Sequence, residues 1–163
     1  MDEAHLLAEA IAKAETMVAA APAEAIIILD GNGHTLYTGA GERDRVSAPV
    51  SVLEDSIVIH NHPGGGSLSQ QDVRLMLEHE IAQVRAVTLD AVFVLDLPNA
   101  VIWDDVAELI TVLMDEIREH HRDLILDGKM TYEESEQRRW HEIWTGVAEI
   151  RGWAYRMEPR LRR

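Results

Sequence analysis

The sequence predicts a single α/β domain in which a β-sheet is layered against helices. The chain has 163 residues, of which 47% are hydrophobic and 27% charged, so it is long enough and apolar enough to bury a substantial core. The hydrophobic period also changes along the chain, in the order helix, strands, helix, strands, helices. The sequence shows no internal repeat or low-complexity segment. Together these observations favour one layered α/β architecture over two separate domains.

The N-terminal elements are predicted to be a helix and a strand hairpin. Residues 3–20 carry apolar side chains at helical spacing, and Pro22 ends that pattern. The almost wholly apolar segment 25–29 predicts a short buried strand. An Asp-Gly-Asn-Gly turn signal follows it, so residues 34–38 are predicted to pair with this strand.

The middle of the chain continues as strand, helix and strands. Residues 56–60 predict a buried strand, and residues 69–83 have the single apolar face of an amphipathic helix. That face consists of Val73, Met76, Leu77 and Ile81. Two more strands are predicted on either side of Asp90, and Pro98 ends the second.

After residue 104 the pattern becomes helical. An apolar stripe runs from Val106 to Leu124, and Gly128 fits the position just past a helix C-terminus. A second helix is predicted to begin at Thr131, where Thr-Tyr-Glu-Glu matches a capping box that joins Thr131 to the backbone at Glu134.

The second of these helices carries an aromatic stripe that includes Trp140 and Trp144. We interpret this face as one that packs on the domain or on the preceding helix. A partner-binding patch, a cover over one side of the site and a homodimer interface are the alternatives that the sequence leaves open. The arginines of the C-terminal end are interpreted as a solvated basic tail: Arg151, Arg156, Arg160, Arg162 and Arg163.

Composition narrows the functional classes. The formal net charge of −14 repels a phosphate backbone, so nucleic-acid binding is disfavoured; it suits a basic partner, but solubility explains it as well. There are no cysteines, so a metal would have to be held by histidines and carboxylates. Neither a secretory signal nor a membrane-spanning apolar run is visible, which makes a cytoplasmic protein the expectation.

A cluster of metal-ligand residue types lies between residues 57 and 73. His60 and His62 are two residues apart at the end of a predicted strand, so their side chains point the same way. A glycine-rich loop leads to Ser69, and Asp72 lies in the first turn of the next helix. Two imidazoles and one carboxylate make a three-ligand zinc site with an open position, which is typical of catalytic zinc. The alternative is an ordinary strand, loop and helix capped by Ser69.

Catalysis at such a site needs a proton acceptor, because zinc-bound water must lose a proton and the leaving amine must gain one. Glu24 heads the apolar strand 25–29 and is the better candidate; Glu54 precedes His60 by only a few residues and is expected to point elsewhere. The adjacent His120 and His121 project about 100° apart on a helix, so we interpret them as part of a solvated helix face.

The segment His-Asn-His-Pro-Gly-Gly-Gly-Ser-Leu-Ser-Gln-Gln-Asp resembles the JAMM motif of the JAB/MPN metalloprotease superfamily, in the prokaryotic branch with RadC-like and phage- or toxin-associated members. The resemblance implies zinc ligands at His60, His62 and Asp72. It also implies Glu24 as the acid/base and Ser69 as the group that stabilises the oxyanion. The loop of five residues between Pro63 and Ser69 is one shorter than in the commonest form of the motif.

The resemblance further implies a JAB/MPN-like mixed β-sheet flanked by helices. We expect this metalloprotease domain over residues 1–103. The helical pattern predicts a hairpin extension over residues 104–163, packed on the domain or on a partner, and the resemblance does not extend to it. The implied activity is zinc-dependent (Zn²⁺) hydrolysis of a peptide or isopeptide bond in a protein substrate, with ubiquitin-like conjugates among the candidates. The alternatives are a catalytically silent MPN-type scaffold or phage-associated assembly protein, and a metalloenzyme that acts on a smaller amide.

Overall fold

A six-stranded mixed sheet forms the centre of the molecule in the computed structural model, which describes residues 2–41 and 47–160. The strands are β1 (Ala25–Leu29), β2 (Thr35–Ala40), β3 (Ile57–Asn61), β4 (Gln83–Val87), β5 (Ala91–Asp96) and β6 (Tyr155–Pro159). The helices are α1 (Glu3–Ala19), α2 (Gln70–Glu78), α3 (Trp103–Leu126) and α4 (Tyr132–Arg151). The predicted α/β class is therefore confirmed. Over the described residues, every helix is too short or too polar to cross a bilayer.

The sheet has the order β2-β1-β3-β4-β5-β6, with β3 and β4 parallel and the other neighbours antiparallel. Alternate strand residues face opposite sides. Ile27 and Leu29 pack with α1 on one face, whereas Ile26 and Ile28 join the core formed with α2, α3 and α4 on the other. The molecule consequently has three layers, with the sheet between α1 and the remaining helices.

The unit that matters for the site is β3, α2 and β4. Every residue of β3 is buried, and the chain crosses through α2 before it returns as the parallel strand β4. Helix α2 ends at Glu78, earlier than the predicted residue 83. The difference has a local cause, because Glu80 adopts a φ of 50° and turns the chain so that Ile81 is buried before β4 begins.

The two helices after residue 104 were predicted correctly, including the cap at Thr131 and Gly128 in the left-handed conformation with a φ of 69°. They contribute to the same core as the sheet and α2. Their buried members in that core are Val106, Ile110, Ile143, Trp144 and Val147. The aromatic stripe therefore packs on the body of the molecule, as interpreted from the sequence.

The prediction of a solvated basic tail is wrong for residues 155–159, which form strand β6 on the edge of the sheet beside β5. Arg85 in β4 helps to fasten this strand. Its guanidinium is buried and donates to Glu15 of α1 at 2.6 Å and to Glu158 of β6 at 2.7 Å. Of the predicted tail, Arg162 and Arg163 lie outside the described residues.

Candidate metal centre

The two histidines of the motif converge at the carboxyl end of β3. His60 is only 6% exposed, and the backbone N–H of His62 donates to the carbonyl of Val87 at 2.8 Å, so the extended pairing with β4 continues past Asn61. Because the chain remains extended, side chains two residues apart share a side. The Nε2 atoms of His60 and His62 accordingly lie 2.9 Å apart.

The third member, Asp72, is positioned by the N-terminus of α2. Ser69 and Asp72 form a capping box in which the Ser69 hydroxyl accepts from the Asp72 N–H at 3.1 Å. This fixes the carboxylate toward the strand end, with Oδ1 at 3.4 Å from Nε2 of His60 and Oδ2 at 3.5 Å from Nε2 of His62. One ligand atom from each of the three residues lies within 4.8 Å of the others.

The donor set of His60, His62 and Asp72 fits a divalent metal ion. Two neutral imidazoles can place at most one proton in the short gap between their Nε2 atoms, which leaves a lone pair directed at the shared space. A carboxylate faces that same space. Imidazole and carboxylate ligands are those that zinc takes in catalytic sites, and the chain has no thiolate to offer. The group can therefore hold a metal ion.

The electrostatics of the cluster favour an ionised carboxylate. Burial raises the pKa of Asp72, but the charge and hydrogen bonds of His60 and His62 outweigh it, and the net pKa lies well below its usual range. Burial lowers the pKa of His62, whereas hydrogen bonding and charge from Asp72, with smaller contributions from the Gly66 backbone and Glu24, raise it overall. Asp72 therefore presents an ionised carboxylate to the space between the two histidines.

Glu24 lies beside this cluster, just before β1. The antiparallel β1–β3 ladder ends at the pair Ile26 and His60, so Glu24 and His62 each lie two residues beyond it, at the same end of the two strands. The contribution of Glu24 to the pKa of His62 agrees with that placement. Glu24 is half-buried, and its carbonyl accepts from the N–H of Gly41 at 2.8 Å.

Asn61 is a residue of this site that sequence reasoning missed. Its side chain is buried, and its Oδ1 accepts from the N–H of Ala25 at 2.7 Å while its Nδ2 donates to the carbonyl of Ala23 at 3.0 Å. These bonds hold the chain immediately before and after Glu24. The available signal was its position between the two histidines, since the middle residue of a His-x-His strand points away from the metal side.

The hydroxyl of Ser69 is fully engaged in the cap. Besides accepting from the Asp72 N–H, it donates its one proton to Oδ2 of Asp72 at 2.8 Å. An oxyanion would have to compete with that carboxylate for the proton. The geometry assigns Ser69 to holding Asp72, and its role toward an oxyanion stays a prediction.

The prediction of a solvated face at His121 is wrong. His121 is 1% exposed and joins α3 to α4, with Nδ1 at 3.0 Å from the Ser135 hydroxyl and Nε2 at 2.9 Å from Glu142. Ser135 is itself buried between the helices, so a substrate cannot reach it. We interpret the group as a polar contact that fixes the register of the two helices. His120 is exposed, as expected.

The structure thus brings together the predicted ligands His60, His62 and Asp72, bonds Ser69 to Asp72, and sets Glu24 beside them. No family model, curated protein or solved structure matches the chain. The geometry of these residues therefore carries the functional argument.

Proposed function

We propose that this protein is a zinc-dependent metallopeptidase that hydrolyses a peptide or isopeptide bond in a protein substrate. The single observation that carries the proposal is the convergence of His60, His62 and Asp72, and the charge of Glu24 felt at His62 supports it. A partly buried cluster of two imidazoles and a carboxylate with a second carboxylate beside it contains both a ligand set and a proton acceptor.

His60, His62 and Asp72 would hold the metal ion. When bound, zinc supplies a Lewis acid for a carbonyl oxygen and lowers the pKa of a water molecule to about 7. Glu24 takes the proton from the attacking water and delivers it to the leaving amine, and its half-buried position beside His62 suits that transfer. Ser69 keeps the Asp72 carboxylate directed at the ligand cluster.

We also propose that the fold is of the JAB/MPN type. Two features support this proposal: the histidines lie at a strand end, and Asp72 lies in the first turn of the following helix. A protein substrate, with a ubiquitin-like conjugate among the candidates, is part of the same proposal. The net charge of −14 continues to disfavour nucleic acid as the substrate.

The first test measures bound zinc in the purified protein by atomic absorption. We expect near-stoichiometric zinc in the wild type and its loss in His60→Ala and Asp72→Ala. His34→Ala is the matched control, because the His34 side chain is exposed and, among the described residues, its ring pairs with Asp30 alone. The metal site is refuted if the wild type carries no zinc after reconstitution, or if His60→Ala binds it as tightly as the wild type does.

The second test separates an enzyme from a scaffold. Glu24→Gln keeps the shape of the side chain but removes the proton acceptor, so it should retain zinc and lose hydrolysis of a panel of ubiquitin-like fusions and short peptides. Zinc binding without hydrolysis of any member would overturn the peptidase and favour the catalytically silent scaffold or assembly protein. Hydrolysis of only the short peptides or of small amides would overturn the protein substrate.

A further inference from the structure

A tryptophan of the C-terminal helix is bonded to the loop that carries the ligand Asp72. Trp144 of α4 is 1% exposed, and its indole Nε1–H donates to the carbonyl of Leu68 at 2.7 Å. Leu68 is fully buried and immediately precedes Ser69, the cap of α2. Both partners are shielded from water, so this bond does not compete with solvent.

The same peptide group also holds Asp72. The carbonyl of Leu68 and the N–H of Ser69 belong to one planar amide, and that N–H donates to Oδ2 of Asp72 at 2.6 Å. In a trans amide the two groups point in opposite directions, so fixing the carbonyl also fixes the N–H. Trp144, the 68–69 amide and Asp72 therefore form one continuous chain of two hydrogen bonds.

We propose that Trp144 is a positioning residue for the metal ligand Asp72, acting through the amide between Leu68 and Ser69. The inference rests on the metal site of the proposed function and adds a residue outside the JAMM-like motif. An indole that donates to the carbonyl polarises the amide and strengthens its donation to the carboxylate. It also prevents the amide from rotating, which keeps Oδ1 of Asp72 directed at His60.

The indole of Trp144 is itself held in place. It stacks with Trp140, at 5.7 Å between ring centroids, and with Trp153, at 6.5 Å. Strand β6 makes a second contact with the same loop. The Tyr155 hydroxyl lies 2.6 Å from the hydroxyl of Ser67, the residue before Leu68. The aromatic stripe therefore does more than fill the core. Through Trp144 it holds the loop that joins His62 to Asp72.

The test compares zinc affinity, measured by competition with a chromophoric chelator, in two variants. Trp144→Phe keeps an aromatic ring in the stack and removes the donor. We expect it to weaken zinc binding several-fold, up to the roughly tenfold that loss of a direct partner of a ligand costs, because Trp144 reaches Asp72 through one intervening amide. Trp140→Phe is the matched control, because it trims a ring of the same stack that has no hydrogen bond to the loop. We expect it to leave zinc affinity unchanged.

A variant that removes only the indole N–H separates loss of the hydrogen bond from a general loss of folding. Replacing Trp144 by 3-benzothienylalanine preserves the shape of the ring and substitutes sulfur for the N–H, and it should weaken zinc as Trp144→Phe does. Cobalt absorption spectra of each variant should show an altered ligand field for the Trp144 replacements only. Equal zinc affinity in wild type, Trp144→Phe and the thienyl variant would overturn this inference and leave the metal site standing. A wild type that binds no zinc would overturn both.

Discussion

Two hydrogen bonds from Ser69 meet on a single carboxylate oxygen of Asp72: the N–H lies 2.6 Å and the hydroxyl 2.8 Å from Oδ2. The other oxygen is left to face His60 at 3.4 Å. Oδ2 also faces Nε2 of His62 at 3.5 Å, so the helix cap and the candidate site share the carboxylate of Asp72. An ordinary capped helix and a wall of the candidate site are therefore compatible interpretations of Asp72.

Replacing Ser69 by alanine should affect stability and metal binding together. The variant loses the side-chain half of the cap, which typically costs about 1 kcal/mol of unfolding free energy. It also loses the hydroxyl that fixes Asp72, so zinc affinity should fall. Urea denaturation of the metal-free protein gives the first quantity, and chelator competition gives the second.

Thr131→Ala provides the matched control for Ser69→Ala. Thr131 forms the same capping box with Glu134 at the start of α4, where its hydroxyl accepts from the Glu134 N–H at 3.1 Å. We expect a similar loss of stability with no change in zinc affinity. Equal effects of the two variants on zinc would show that the Ser69 cap has no specific role at the site.

Local sequence signals predicted the parts of the site that depend on neighbours in the chain. A capping box needs only residues three apart, and two strand histidines need only the alternation of a strand, so the capping box of Ser69 with Asp72 and the shared side of His60 and His62 were visible. Glu24 could be named as a candidate because it immediately precedes the strongly apolar segment 25–29.

The remaining features depend on contacts between distant segments. Trp144 reaches Leu68 across 76 positions of sequence, and His121 becomes buried only because Ser135 and Glu142 come to face it. Strand β6 carried a weak signal, an alternation of Tyr155, Met157 and Pro159 with charged residues. This signal was too weak to predict a strand, because arginines interrupt it and a strand at the edge of a sheet can carry charged residues.

The glycine loop should tolerate alanine at one position and not at another. Gly66 has a φ of +97°, so Gly66→Ala should be destabilised by roughly 1–2 kcal/mol of backbone strain. Zinc affinity should fall as well, because hydrogen bonding to the Gly66 backbone contributes to the environment of His62. Gly64→Ala is the control: its φ is not in the left-handed region, and an added Cβ there meets no heavy atom within 4 Å. Thermal denaturation and chelator competition would measure both effects, and equal results for both variants would contradict this account of the loop.

His141 should make the stability of the metal-free protein depend on pH. Its pKa is lowered by burial and by the charge of Arg138, against the opposing charge of Glu142. The unfolded chain therefore binds a proton at His141 more readily than the folded one, and stability falls as the pH drops below about 6.5. Comparing His141→Gln with the wild type isolates this contribution. The stability advantage of the wild type in denaturant unfolding should shrink between pH 7.5 and pH 5.5; an advantage that grows over this range would contradict the prediction.

Asn61 should influence hydrolysis without influencing zinc. Its amide holds Ala23 and Ala25 on either side of Glu24, so its Oδ1 and Nδ2 are bonded to that segment rather than directed at the histidines. Asn61→Ala frees the segment that carries Glu24 and leaves the N–H of Ala25 without its side-chain partner, at a cost of about 1–3 kcal/mol in stability. We expect kcat to fall while zinc content stays near that of the wild type.

Asn61→Asp retains the acceptor for Ala25 and loses the donor for Ala23, so its kcat should lie between that of the wild type and that of Asn61→Ala. If zinc and kcat fell in parallel across these variants, Asn61 would be supporting β3 and its histidines rather than the position of Glu24.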